Sequence, residues 1–213
     1  MESNGREEVF RKKAKLFDIG IKGLERDGWT ISKIPGSGKS SHRKIAKNGE
    51  EFVVVIKTTQ EAWPSFQRTD TSWNTLPDVD KVVVVSVQKK GSNLVKVHLI
   101  DGKDLLQRLD QAYEAQIAAG YRYKAGSPFW ISLYKSPTDY PNNVLYVGGG
   151  VGSAYPPIHT DSLSGGKPGA DTTESPEEMT AGSEKGITIP EAKRLLSISL
   201  GVDPSNIKIL VEA

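Results

Sequence analysis

Apolar side chains near the start of the chain recur at the spacing of a helix. Between residues 7 and 26 they are three or four positions apart, so they share one helical face. They are Phe10, Ala14, Phe17, Ile21 and Leu24. The polar positions among them include a basic cluster that should face solvent, namely Arg11, Lys12, Lys13 and Lys15. The pattern predicts a helix over residues 7–26, and Gly28 follows where glycine commonly ends helices.

Two long apolar runs predict the centre of a β-sheet. FVVVI at 52–56 and VVVV at 82–85 are continuous and β-branched, which is typical of strands buried on both faces. Asn48-Gly49 favours a type I′ turn, so residues 42–47 and 50–57 should form an antiparallel hairpin. Further strands are predicted at 29–34, 94–100, 129–134 and 144–147.

A second helix completes the predicted body. Asp101 is a suitable N-cap for a helix that runs to residue 119 and stops at Gly120. We therefore predict that residues 1–148 form one α+β body, in which a mixed, largely antiparallel sheet is flanked by two helices.

The remaining residues divide into two parts by composition. Residues 149–186 are rich in glycine, proline and serine and poor in bulky aliphatic side chains, which predicts a flexible acidic linker. In residues 187–213, Thr188 and Glu191 form a capping box between two strand patterns. These residues are predicted to form a small β-α-β unit that docks on the body, on a partner or on a second copy of itself.

Charge is distributed unevenly along the chain. The net charge is +2, but residues 1–151 carry 23 basic and 17 acidic side chains, whereas residues 152–185 carry two and six. The body is therefore cationic and the linker anionic. The sequence has no cysteine, no signal-peptide pattern and no apolar run long enough to cross a bilayer. We expect a cytoplasmic protein without disulfides, thiolate zinc sites or a membrane partner.

A cationic run enters the predicted hairpin. Between positions 33 and 47 there are five lysines and arginines and no carboxylate. They are Lys33, Lys39, Arg43, Lys44 and Lys47. Such a run, interleaved with glycine and serine, suits contacts to nucleic-acid phosphates. The alternative interpretation is an ordinary solvated strand face.

Aromatic residues cluster in the segment after the hairpin. Trp63, Phe66 and Trp73 surround Arg68 in sequence, a combination that suits stacking on bases. The same tryptophans can instead cover an edge of the core, so both interpretations stay open. Arg68 is included among the predicted nucleic-acid-binding residues.

A helix, a strand and a hairpin that ends in Lys57 follow one another in the first part of the chain. Over residues 7–120 this order resembles the core of the restriction-endonuclease-like nucleases, the PD-(D/E)xK group. The resemblance implies two carboxylates that hold Mg²⁺ and a lysine that positions the attacking water. Lys57 matches the lysine, but Val55 stands where the family has an acid. A non-catalytic relative that keeps the nucleic-acid-facing surface is the simplest implication.

Three functions are consistent with these patterns. The first is a nucleic-acid-binding protein with a nuclease-like, non-catalytic body. The second is an adaptor whose tethered C-terminal unit recruits a protein partner. The third is a nuclease whose acids have moved, with Lys57, Glu25, Glu51 and Asp80 as candidate catalytic residues. Only the third requires a cofactor, Mg²⁺. No other metal site is expected, because no two of the three histidines have the close spacing of a metal pair.

Overall fold

The computed structural model describes residues 3–35, 41–89 and 91–164, with the short pieces 192–193, 196–197 and 206–208. Side chains of the first helix are described from Val9 onward. Lys39, the predicted linker from residue 165 onward and most of the predicted unit at 187–213 lie outside the described residues. The predictions made for them therefore stay predictions.

Six strands form one sheet that is antiparallel except at its centre. In chain order the elements are α1 (Ser3–Arg26), β1 (Thr30–Lys33), β2 (His42–Lys47), β3 (Glu50–Thr59), β4 (Ser65–Gln67), β5 (Lys81–Val87), β6 (Leu94–Asp101), α2 (Gly102–Ala118), β7 (Pro128–Trp130), α3 (Val151–Ala154) and β8 (His159–Ser162). The sheet order is β1-β2-β3-β5-β6-β8, and β3 lies parallel to β5. The predicted fold class, α+β with a mixed, largely antiparallel sheet and two flanking helices, is confirmed.

The predicted hairpin is confirmed in both turn and register. Asn48 has φ of 54° and Gly49 has φ of 84°, as a type I′ turn requires at its two central residues. Lys47 pairs directly with Glu50. A slip of one residue would exchange the two faces of β2, so this turn determines which cations of the strand face α1.

The sheet carries a separate apolar core on each face. Successive side chains of a strand point to opposite sides, so Val83 and Val85 pack with the α1 layer while Val82 and Val84 pack with the α2 layer. All four valines are fully buried. The continuous apolar runs thus occupy the centre of the sheet, as predicted.

The N-cap of α2 is also confirmed. The Asp101 carboxylate accepts hydrogen bonds from the backbone N–H groups of Lys103 at 2.9 Å and Asp104 at 3.1 Å. The helix ends at Ala118, one residue before the predicted end, and Gly120 follows with φ of 93°.

A two-stranded sheet and its loops cover the α2 face of the main sheet. Strand β4 pairs with β7, and Phe66 and Trp73 in this region are 2% and 3% exposed. These two side chains therefore cover the core, which is the second of the two interpretations given above.

Two of the predicted late strands are corrected. Only Pro128–Trp130 of the segment predicted at 129–134 is a strand, and Val144–Tyr146 is a 3₁₀ helix rather than a strand. The Asn143 side chain caps this helix by accepting from the N–H of Leu145. A short apolar run can be a buried strand or a buried helix, and periodicity alone does not distinguish the two.

The body extends further than residue 148. Strand β8 (His159–Ser162) pairs with β6 at the edge of the main sheet, so residues 149–164 belong to the body and the linker boundary predicted at 149 is too early. Glycines in this segment allow its backbone to pack closely against other backbone segments. A Cβ at Gly148 would lie 2.2 Å from the carbonyl oxygen of Arg108, and one at Gly149 would lie 2.2 Å from that of Lys135.

Candidate nucleic-acid interface

Residues 9–15 of α1 are exposed on every side. All seven residues from Val9 to Lys15 are exposed, and Leu16 is the first buried residue among the described side chains of the helix. Seven residues make about two helical turns, so this part has no face covered by the body. It carries four cations and no carboxylate, namely Arg11, Lys12, Lys13 and Lys15.

A groove of about 530 Å³ runs between α1 and the turn that joins β5 to β6. The helix lines it with Arg11, Lys12 and Lys15, and the turn lines it with residues 91–93. Leu163 and Ser164 complete the wall after β8. No carboxylate is among the lining residues in the described part of the chain. The groove therefore presents positive charge together with serine and asparagine side chains.

A second set of cations lies across α1 from the groove. The guanidinium of Arg43 sits over the Phe17 ring, 5.1 Å from its centroid, so Arg43 faces α1. Lys33 is the direct cross-strand neighbour of Arg43 and is exposed. Lys13 lies one helical turn before Phe17. We call Lys13, Lys33 and Arg43, together with the three groove cations, the α1 cationic surface.

Lys57 lies on the α2 face of β3, close enough to Lys13 of the α1 cationic surface for the two charges to interact. Its ammonium nitrogen is 5.4 Å from the centroid of the Phe66 ring. Burial lowers the pKa of Lys57 below its usual range, and the charge of Lys13 lowers it further. Lys57 is therefore a partly desolvated cation whose charge interacts with that of Lys13.

The candidate carboxylates do not converge on Lys57. Glu51 is six residues earlier on β3, about 20 Å away at the rise of a strand. The Asp80 carboxylate accepts a hydrogen bond from the N–H of Val53 at 2.7 Å. Val53 is four residues before Lys57 on β3, about 13 Å away at the rise of a strand. Glu25 lies twelve residues after Lys13 on α1, about 18 Å along the helix.

Two further described cations of the predicted run, Lys44 and Lys47, form ion pairs with carboxylates. Lys44 points to the opposite face of β2 from Arg43 and forms an ion pair with Glu51. The Lys47 ammonium lies 3.1 Å from the Asp27 carboxylate and 5.4 Å from the Trp29 ring centroid. Strand alternation therefore separates Lys44 from Arg43, and among the described cations of the run Lys33 and Arg43 are the two that come together.

Arg68 lies in the α2 layer, away from α1. Its guanidinium is 4.3 Å from the Tyr113 ring centroid and 5.8 Å from that of Trp73. It also donates to the carbonyl oxygens of Thr69 and Asp70. These contacts anchor the loop after β4, so Arg68 is not part of the α1 cationic surface.

A buried polar cluster on the α2 face escaped the sequence analysis. The His98 ring is fully buried, with Nδ1 2.7 Å from the carbonyl oxygen of Tyr155 and Nε2 2.9 Å from the Tyr134 hydroxyl. Burial lowers the pKa of His98 and raises the pKa of Tyr134. The Ser86 hydroxyl makes no hydrogen bond of standard geometry to a described residue, but its proximity favours the ionised form of Tyr134.

Sequence reasoning also missed that the basic cluster of α1 forms part of a groove. The cluster itself was visible, because four of the five residues from Arg11 to Lys15 are basic. The other wall was not visible, since residues 91–93 and Ser164 are far from α1 in sequence. Only the three-dimensional arrangement brings these segments together.

Among the described residues, no three histidine, aspartate or glutamate side chains are grouped so that they can hold a metal ion. Within the same part of the chain, no helix combines the length and apolar character that a membrane span requires. No family model, curated protein or solved structure matches the chain. The assignment of function therefore depends on the chemistry of the residues themselves.

Proposed function

We propose that the body binds nucleic acid by holding its phosphates on the α1 cationic surface. The observation that carries this proposal is the groove whose described lining contains Arg11, Lys12 and Lys15 and no carboxylate. Lys and Arg side chains that neutralise phosphates release counterions, which supplies most of the sequence-independent affinity of nucleic-acid-binding proteins. Ser92, Asn93 and Ser164 add the polar groups that commonly contact phosphate oxygens.

The body has no catalytic role in this proposal. The resemblance to PD-(D/E)xK nucleases requires carboxylates beside the lysine, and Glu51 and Asp80 are about 13 Å or more from Lys57 along the strands. What the body keeps in common with such nucleases is a cation at the end of the central strand. Lys57 then adds a partly desolvated cation whose charge interacts with that of Lys13 on the phosphate-holding surface.

The test is the affinity of the full chain for fluorescently labelled single-stranded and duplex oligonucleotides as salt rises from about 0.05 to about 0.2 M. One variant combines Lys13→Ala, Lys15→Ala and Lys33→Ala, all exposed residues of the α1 cationic surface. A matched control variant combines Lys103→Ala, Arg122→Ala and Lys124→Ala, which are exposed at the start of α2 and after its end.

Both triple variants lose three positive charges. A difference in affinity between them therefore reports where the charges lie rather than the net charge of the chain. We expect the α1 variant to bind more weakly and to reduce the slope of log K against log salt by about two to three, because each lost phosphate contact contributes about 0.7 to 0.9. We expect the control to bind as the unmodified chain does. Equal losses in both variants, or no binding at low salt, would overturn the proposal and favour the adaptor alternative.

A further inference from the structure

Phe10 is the most exposed large apolar side chain in the described part of the chain. It is 73% exposed and its neighbour Val9 is 56% exposed. The other aromatic side chain with high exposure, Tyr140, is stacked on Tyr146 with ring centroids 4.4 Å apart. Phe10 thus presents an aromatic face to solvent on a helix segment that the body does not cover.

Cations flank Phe10 on both sides of the helix. Residues advance by about 100° along an α-helix, so Arg11 and Lys15 lie to one side of Phe10 and Lys13 lies to the other. Phe17 is seven residues further on the same face, about 10 Å along the axis, and there Arg43 covers the ring. An exposed ring therefore projects between two rows of positive charge.

An exposed aromatic ring flanked by cations suits a single strand better than a duplex. In a duplex the bases are stacked on each other, and an exposed ring on a helix surface finds a base face only by wedging between base pairs. In a single strand the base faces are available, and proteins bind them with aromatic side chains beside a cationic track for the backbone. Stacking also buries an apolar ring that is otherwise in water.

We propose that the nucleic acid bound by this protein is single-stranded, and that Phe10 stacks on one of its bases while Lys13 and the groove cations hold the adjoining phosphates. The proposal rests on the proposed function and narrows its ligand class. From Glu7 to Phe17 four basic side chains outnumber two carboxylates. The net positive charge around Phe10 therefore argues for a polyanionic partner rather than an apolar one.

The experiment compares Phe10→Ala, Phe10→Leu and Phe10→Trp in the full chain. Phe10→Leu keeps apolar bulk without an aromatic face, whereas Phe10→Trp keeps the aromatic face. The probes are a short labelled single strand, the duplex of the same sequence, and vesicles of anionic phospholipid. Thermal unfolding of each variant checks that the fold is intact, which we expect because Phe10 is exposed.

The unmodified chain should bind the single strand more tightly than the duplex. Phe10→Ala and Phe10→Leu should weaken single-strand binding by about 5- to 150-fold, the range of one lost base stack, with an unchanged salt slope. Phe10→Trp should retain affinity. Lys13→Ala should instead lower the slope of log K against log salt by about 0.7. The Phe10 variants therefore measure stacking, and the Lys13 variant measures a phosphate contact.

Each other outcome overturns the inference in a different way. Binding to both oligonucleotides with no effect of Phe10→Ala would overturn the stacking while leaving the proposed function intact. Loss of all nucleic-acid binding would overturn both. Binding of vesicles but not oligonucleotides would identify a membrane surface as the partner. A Phe10-dependent dimer in sedimentation experiments, without oligonucleotide binding, would identify a second copy of the chain.

Discussion

His98 shows how one side chain links the sheet to the loops that cover it. A carbonyl oxygen only accepts hydrogen bonds, so Nδ1 must carry a proton to bond the Tyr155 oxygen at 2.7 Å. In the neutral ring Nε2 is then an acceptor for the Tyr134 hydroxyl at 2.9 Å. Protonation of Nε2 would remove that acceptor and place a charge on a fully buried ring. The neutral tautomer therefore fits the structure, as the lowered pKa indicates.

This site predicts a loss of stability in mild acid. The pKa of His98 in the folded protein lies below its ordinary value of about 6.5, so the unfolded chain takes up this proton first. Stability is fully present above the unfolded pKa and decreases as the pH falls through about 6.5 toward the folded pKa. Each unit of difference corresponds to about 1.4 kcal/mol. His98→Gln offers both a donor and an acceptor but does not titrate.

Urea unfolding from about pH 7.5 to about pH 5 measures this effect. The unmodified chain should lose more stability over the range than His98→Gln, and the difference between the two curves should grow as the pH falls. Parallel curves would contradict the prediction, because carboxylates and the other histidines titrate in both proteins. The lowered pKa of His98 would then have no consequence for folding.

At the residue scale, sequence patterns predicted backbone conformation better than they predicted the surroundings of individual side chains. The conformations of Asn48, Gly49 and Asp101 follow from backbone geometry that depends on a few neighbouring residues. The surroundings of Lys57 and His98 depend on Phe66, Tyr134 and Tyr155, which come from segments distant in sequence. Charge and burial at these sites therefore required the three-dimensional structure.

At the scale of elements, the segment after residue 148 shows why glycine content predicted the wrong boundary. Glycine is common both in mobile linkers and where two backbones approach closely. In this protein Gly148 has φ of 73° and lies against the Arg108 carbonyl, while Gly49 has φ of 84° and nothing within 4 Å of its Cβ position. The same residue type therefore serves a packed junction in one place and an open turn in the other.

Alanine substitutions at these two glycines distinguish the roles. Gly49→Ala should cost about 1 to 2 kcal/mol of stability, because only backbone strain at positive φ is added. Gly148→Ala adds the same strain and a clash with backbone, so it should cost on the order of 3 kcal/mol or more. The free energy of unfolding in urea measures both. Equal, small costs would indicate that the body ends at residue 148 after all.

At the scale of the whole molecule, the order and class of the core elements follow from the sequence, and the assembly of the surface does not. The two apolar runs predicted the two central strands. Such runs do not show whether the strands pair in parallel or antiparallel, and in the structure β3 lies parallel to β5. Strand β8 was missed because an edge strand needs backbone hydrogen bonds and few aliphatic side chains. Three of the predicted nucleic-acid-binding residues, Arg43, Lys44 and Lys47, lie on β2, where alternation places Lys44 on the opposite face from the other two.

Acidic side chains follow in sequence after the last residues that line the groove. Leu163 and Ser164 line it, so the chain from residue 165 onward starts at its rim. Residues 165–185 contain five carboxylates and two lysines. Asp171 is seven residues beyond Ser164 and is therefore within about 25 Å of it along any path of the chain. The length of the chain therefore permits Asp171 to approach the cations that the proposed function assigns to phosphates.

Neutralising this segment should consequently strengthen oligonucleotide binding. The variant combines Asp171→Asn, Glu174→Gln, Glu177→Gln and Glu178→Gln in the full chain. Charges act over about 30 Å at 0.01 M salt but only about 8 Å at 0.15 M, so we expect an affinity increase of roughly 2- to 10-fold in low salt that largely disappears at physiological salt. A control variant removes four exposed carboxylates elsewhere, namely Glu50, Asp70, Asp78 and Glu114. An equal increase in the control would show that net charge alone acts, and no increase in either would mean that the acidic segment does not compete for the groove.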